Sequence, residues 1–327
     1  WSSDVCSSDL TLEKNIIRFC ADAGGKYCPC HLAYSGDCIK CPMIQGKNKC
    51  DCDWQGVCTY NLLNHSRISP IDERKEILCN ILSTEQIGDN LYLIKIKVPK
   101  DIAKYLYEPG VYVFLKDKDK NSDIFNAPIT VMDINEEEGI LEVIIHAIGA
   151  KTKPIINNDK VYVKSPYYNG IFGLKEIKSN KEDNCLIVIN GLSQANVINV
   201  IRRLLRNNNN VEVFVNGTLL DIIKEKIESM NVKINYFNIE KDKQLLFNYI
   251  KDKKISFVYC AASVEFSRQI MNILNSVDKN IKLSISNNNL ICCGEGICGA
   301  CIVDLNGKKV KTCKAQIDSR EYLTHIK

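Results

Sequence analysis

The chain has 327 residues, 45% of them hydrophobic and 25% charged, enough to bury cores in two or three domains and too apolar for a disordered chain. Its net charge of +4 is spread over intermixed Lys, Asp and Glu, with no basic block interleaved with aromatics, which argues against nucleic-acid binding. No apolar run approaches the roughly 18 residues of a membrane span and no charged start with an apolar stretch marks a signal peptide, so a cytoplasmic protein without a membrane anchor is the expectation.

The opening WSSDVCSSDL reads as a translated sequencing-adapter fragment fused to the coding sequence, and residues 1–10, Cys6 included, are set aside. Seventeen cysteines in a reducing compartment point to metal ligation rather than a disulfide framework. They are unevenly spread. Seven fall between Cys28 and Cys58 and five between Cys292 and Cys313, with Cys79, Cys185 and Cys260 alone in the long middle.

Residues 11–70 form a Cys-rich head with few long apolar runs, a segment whose fold a metal would fix more than a core would. Its stretch YCPCHLAYSGDCIKCPMIQGKNKCDCDWQGVC carries C-x-C, C-x2-C and C-x-C pairs, supplied by Cys28, Cys30, Cys38, Cys41, Cys50 and Cys52, with Cys58 following. Seven thiols exceed one four-ligand site. An additional iron–sulfur cluster and zinc are the two candidate occupants, disulfides the alternative, and the spacing does not say which four residues bind. His31 reads as a structural histidine, and His65, His146 and His325 add no cluster.

From residue 75 to 170, short β-rich runs such as NLYLIKIKVP, GVYVFLKD and GILEVIIHAIG recur between turn signals with no long amphipathic helix, which predicts an antiparallel barrel. Over residues 184–286, buried runs (CLIVIN, VEVFVNG, SFVYCAAS) alternate with helices of 3.6 periodicity, which predicts a parallel α/β sheet with a nucleotide site at its carboxyl edge.

Residues 287–327 hold the sharpest signal. In CCGEGICGAC, Cys293, Cys298 and Cys301 have the C-x4-C-x2-C spacing of a plant-type [2Fe–2S] loop, and Cys313 follows after eleven intervening residues as the fourth ligand. Gly294, Gly296 and Gly299 let the backbone wrap an inorganic core closely. Structural zinc is the alternative, though zinc knuckles pair their cysteines as CxxC…CxxC. Cys292 cannot share the direction of its neighbour and reads as a spare thiol.

A barrel, then an α/β domain, then this cysteine loop resembles the electron-transfer subunit of type B dihydroorotate dehydrogenase, a ferredoxin–NADP reductase-like flavoprotein, over residues 75–327. The resemblance implies FAD on the barrel, NAD(P)H on the α/β domain and a [2Fe–2S] cluster passing electrons to or from a partner oxidoreductase subunit. The family's Arg-Pro-(Ile/Tyr/Phe)-Ser flavin motif corresponds to NAPITV, with Pro128, Ile129 and Thr130 in place and Ala127 where the arginine stands. Its phosphate-contacting segment corresponds to GAKTK, keeping Gly149 and Thr152, with Lys151 and Lys153 as substitute cations. SPYYNGIFG keeps Pro166, Asn169, Gly170 and Phe172 of a later turn; NGLSQAN keeps Gly191, Gln194 and Ala195 of the nucleotide turn; CAAS keeps Cys260. No nucleophile–base arrangement is apparent, so the chemistry belongs to cofactors. The expected protein is an oxidoreductase subunit moving electrons between NAD(P)H, FAD and the cluster. The alternative is a non-catalytic iron–sulfur relay or sensor with decayed flavin and nucleotide sites, favoured by Ala127, NGLSQAN and CAAS.

Overall fold

The computed structural model describes residues 17–52, 54–65, 73–119 and 126–326; the adapter-like residues 1–10 lie outside them. The head contributes β1 (Ile17–Cys20), a one-turn α1 (His31–Tyr34) and α2 (Thr59–His65). β2 (Glu76–Gly88), β3 (Leu91–Lys97), a short α3 (Lys100–Ala103), β4 (Tyr112–Asp117), β5 (Ala127–Asn135), β6 (Ile140–His146) and β7 (Lys160–Tyr167) follow. These six strands, β2 to β7, close into an antiparallel barrel in the order β2-β3-β6-β5-β4-β7. Alternation drives closure: Leu141, Val143 and Ile145 of β6 and Val161 and Val163 of β7 point inward and are buried, while their neighbours along each strand are partly exposed. Register shifts near Ile81 and Gln86 let the 13-residue β2 bend around the barrel.

The second layered unit runs through β8 (Ile171–Phe172), α4 (Leu174–Ser179), β9 (Asn184–Asn190), α5 (Val197–Arg206), β10 (Asn210–Asn216), α6 (Asp221–Ser229), β11 (Lys233–Phe237), α7 (Lys243–Asp252), β12 (Phe257–Ala261), α8 (Val264–Val277) and β13 (Lys282–Ser286). Its sheet order is β11-β10-β9-β12-β13-β8. β9 and β12 are covered on both faces, which is why CLIVI and FVYCA read as unbroken apolar runs. The sheet's strands between residues 184 and 286 pair parallel throughout, as expected, and one edge gains an antiparallel strand. β8, the stretch that leaves the barrel, pairs antiparallel with β13.

β14 (Ile302–Leu305), β15 (Lys308–Lys311), β16 (Ala315–Ile317) and α9 (Ser319–His325) complete the chain. Leu305, Val310, Ile317, Tyr322 and Leu323 share one core with α7, α8 and the sheet, so the expected boundary at residue 287 cuts through continuous packing. The head does not stand apart from the C-terminal unit. β1 pairs antiparallel with β16, Ile17 opposite Ile317 and Cys20 opposite Ala315, which makes the head's first strand part of the C-terminal unit.

Asp133 of β5 clasps the barrel to the α/β unit by accepting hydrogen bonds from Arg202 of α5 and Lys226 of α6. Burial opposes ionisation of Asp133, but those two cations outweigh it and hold its carboxyl below the usual range. A depressed carboxyl stabilises the fold above its unfolded value, and that contribution is lost as pH falls through the folded value. Asp133→Asn is therefore expected to cost about 1.5–3 kcal/mol at neutral pH. The gap from the parent protein should narrow below about pH 4 in thermal melts. Among the described residues no helix is long and apolar enough to cross a membrane.

Candidate iron–sulfur centre and its surroundings

The loop between β13 and β14 carries three of the four expected cluster cysteines, and the turn after β15 carries the fourth. Gly294 takes φ +68°, and a Cβ there would lie 2.6 Å from Cε1 of Tyr167 and 2.8 Å from Cε2 of Phe114. Only a residue without a side chain lets the loop lie this close to that aromatic wall. Gly296, at φ +76°, approaches Leu32 of the head in the same way.

Cys301 and Cys313 are buried against Tyr112, Phe114, Tyr167 and Ile291, with their sulfurs 3.2 Å apart. The hydrogen bond between them draws the Cys301 thiol down, against the effect of burial, and pushes Cys313 up. Cys293 Sγ accepts the Glu295 N–H at 3.3 Å, and Cys298 sits exposed at the rim. Three thiols on a glycine loop and a fourth on the turn after β15, with backbone N–H groups turned toward sulfur, suit a cluster of two irons.

A buried quartet braces this cage. Arg74 donates to Asp22 at 2.7 Å and to Glu295 at 3.0 Å, while Lys314 donates to Glu295 at 2.9 Å and to Asp22. The Arg74 and Lys314 side chains are 2% and 1% exposed, so the two cations and two carboxylates neutralise one another out of water. Burial opposes ionisation of Glu295, but Lys314 and Arg74 bring its carboxyl down to about 2. The Arg74 guanidinium also lies 4.0 Å from the Tyr27 ring centroid and 4.4 Å from that of Tyr167. Asp22 comes from the head, Glu295 from the cluster loop, and Lys314 from the position after Cys313. Sequence reading missed all four residues, which sit up to 292 positions apart and share no motif.

The residues matched to cofactor motifs divide into two groups. Pro128 is exposed and Ile129, Thr130 and Thr152 partly so, while Gly149 and Gly191 lie at the surface. Lys151 Nζ donates to the Asn126 carbonyl at 3.1 Å, which puts a cation beside Ala127 where the motif lacks its arginine. The others are spent inside the protein. Asn169 is fully buried, donating to the Thr312 and Ala315 carbonyls at 2.6 and 2.8 Å and accepting from Gln316, so it pins the chain on either side of Cys313. Gly170 packs on the Gly110 carbonyl. Gln194 donates to the Gly191 and Thr218 carbonyls and accepts from the Leu220 N–H. Cys260 is buried in the core beneath Ser267, and burial pushes its thiol up to about 12. The Asn169 and Gln194 side chains hold neighbouring backbone in place.

The strand carrying Pro128–Thr130 lies next to the cluster's aromatic wall. β4 pairs with β5 so that Tyr112 faces Thr130 and Phe114 faces Pro128. Asn126 and Phe114 border the same cavity, of about 350 Å³, as Cys293 and Cys298. In the head, Cys28, Cys30, Cys38, Cys41, Cys50, Cys52 and Cys58 all border one cavity, joined by Cys20 of β1, which sequence reading left out.

Comparison with known proteins fits this geometry. Residues 237–326 match the family described as 2Fe-2S iron-sulfur cluster binding domain. An NADH-dependent reduced ferredoxin-NADP oxidoreductase, studied for flavin-based electron bifurcation, superimposes with a TM-score of 0.58 at 18% identity, covering 76% of this chain and 92% of its own. The chain has a ferredoxin–NADP reductase-like fold with a C-terminal 2Fe-2S domain. That domain match begins inside β11, ahead of the cysteine loop, in keeping with the shared core. An uncharacterized protein encoded in the adh 3′ region of Clostridium beijerinckii is 21% identical over 262 residues, 75% of this chain and 85% of that protein. Phthalate dioxygenase reductase, described as a modular structure for electron transfer from pyridine nucleotides to [2Fe-2S], aligns over 74% of this chain and 95% of its own, at 11% identity and a TM-score of 0.48.

Proposed function

We propose that this chain is the iron–sulfur flavoprotein subunit of an NAD(P)H-linked oxidoreductase, exchanging electrons with a partner protein through a [2Fe–2S] centre held by Cys293, Cys298, Cys301 and Cys313. The observation that carries this reading is the strand register: the flavin-like motif Pro128–Thr130 is hydrogen-bonded to the strand whose Tyr112 and Phe114 wall the cluster. A flavin bound there would supply the conversion between nicotinamide, which gives two electrons together, and an iron–sulfur centre, which takes one. Pro128, Ile129 and Thr130 offer its platform, and Gly149, Thr152 and Lys151 its phosphate contacts. The turn at Gly191, at the carboxyl ends of the parallel strands, is the place for NAD(P)H. The buried aromatic wall keeps water from the inner sulfurs, and exposed Cys298 marks the side from which a partner approaches. The resemblance to the dihydroorotate dehydrogenase subunit supports this division of labour, with the organic substrate left to the partner.

Anaerobically purified protein should contain FAD and iron and reduce an artificial dye with NAD(P)H. Cys298→Ser should remove the [2Fe–2S] spectrum and bring electron delivery to a protein acceptor down to background, while flavin stays bound. Iron without flavin or dye reduction would favour the simple relay, a reading to which Ala127 and the buried Cys260 lend weight. Unchanged iron in the Cys298→Ser variant would overturn the ligand assignment.

A further inference from the structure

The head buries very little apolar side chain. Leu32, Ala33 and Cys41 are its buried hydrophobic residues among those described. Beside them lies a cavity of about 540 Å³ bordered by eight thiols, of which Cys41 is buried and Cys50 and Cys58 are exposed. A domain with so small a core and a thiol-lined cavity gains stability from a group bound there.

One zinc ion holds four thiolates about 2.3 Å from a single point and would occupy only a small part of this cavity, whose wall carries eight thiols. Cys50 and Cys52 form a close pair with sulfurs 3.6 Å apart.

We propose that the head holds a second, polynuclear iron–sulfur cluster, ligated by cysteines of this cavity wall that include Cys30 and Cys38 and set beside the [2Fe–2S] centre. Cys30 borders both the head cavity and the smaller cavity that contains Cys293 and Cys298, and Tyr27 borders both as well. The two cysteine sites therefore share a wall. A cluster held there would be able to take one electron from a reduced [2Fe–2S] centre, with no bond made or broken and no proton required. The electron's source, NAD(P)H through flavin, rests on the function proposed above; the cluster itself does not.

The test uses the full chain, reconstituted anaerobically with iron(II) and sulfide, and measures iron, zinc, acid-labile sulfide and the reduced EPR spectrum. The expected result is at least about four irons per chain with matching sulfide, against about two for a [2Fe–2S] centre alone. Cys30→Ser/Cys38→Ser should fall to about two irons and keep the [2Fe–2S] signal, which also reports that the variant has folded. Conversely, Cys298→Ser should lose the [2Fe–2S] signal and retain iron, sulfide and an EPR signal from the head. Two irons in the parent chain, zinc in place of iron and sulfide, or no head signal in Cys298→Ser would each overturn the proposal. Failure of the flavin reading would appear separately, as absent dye reduction with the iron count intact.

Discussion

Replacing Lys314 with Met is expected to destabilise the protein by about 3–5 kcal/mol, the cost of removing one partner from a buried ion pair. The Lys314 side chain is 1% exposed and serves both Asp22 and Glu295. Without it, buried Asp22 and partly buried Glu295 share the single charge of Arg74. Methionine keeps most of the aliphatic stem, so the loss reports the charge rather than a cavity. Thermal unfolding should show a midpoint lower by on the order of 10 °C. Adding Asp22→Asn to that variant should recover part of the loss, because it removes one of the carboxylates left short of a partner. The double-mutant cycle gives the coupling directly. A change within about 0.5 kcal/mol, the range of ordinary surface substitutions, would show that the quartet is not the brace its burial implies. The position of each member explains why the brace matters: Glu295 lies between Cys293 and Cys298, Lys314 follows Cys313, and Asp22 lies two residues beyond Cys20. Loosening the quartet should speed loss of the cluster as well as lower stability.

The signals legible in the sequence are local ones. Strand alternation over residues 76–167 and the strand–helix rhythm after 184 each arise within a dozen residues, and both folded as expected. The C-x4-C-x2-C loop is equally local. What the sequence conceals is long-range. Arg74 reads as an ordinary cation in a linker, and nothing near it announces partners at 22 and 295. The four residues of β1 are too few to signal a strand, and their partner lies about 300 positions away. Asn169 and Gln194 illustrate a subtler difficulty. A polar residue placed in a turn to touch a ligand and one placed there to satisfy buried carbonyls look the same in sequence. Only the hydrogen bonds of Asn169 to Thr312 and Ala315 show that its side chain is spent bracing Cys313. Cys20 escaped notice because it lies in a strand, apart from the closely paired thiols that follow it.

Gly294→Ala should be the most damaging single-methyl change in the cluster loop. At φ +68° an alanine accepts roughly 1–2 kcal/mol of backbone strain. Its Cβ would also stand 2.6 and 2.7 Å from two carbons of the Tyr167 ring and 2.8 Å from Phe114. Neither ring can move aside: both are buried, and they hold each other edge to face at 4.9 Å between centroids. Overpacking of this kind adds about 1–3 kcal/mol. Gly299→Ala is the matched control, since φ there is +77° but the nearest atom to a new Cβ is Ile302 Cδ1 at 3.6 Å. It carries the backbone strain without the collision. In an iron-chelator challenge of the reconstituted protein, Gly294→Ala should lose its [2Fe–2S] absorbance much faster than Gly299→Ala, which should stay close to the parent chain. Equal rates for the two variants would mean that backbone conformation alone demands the glycines. Faster loss at Gly294 would mean that the loop is held where it is by the aromatic wall, the same wall that separates the cysteines from the Pro128–Thr130 strand.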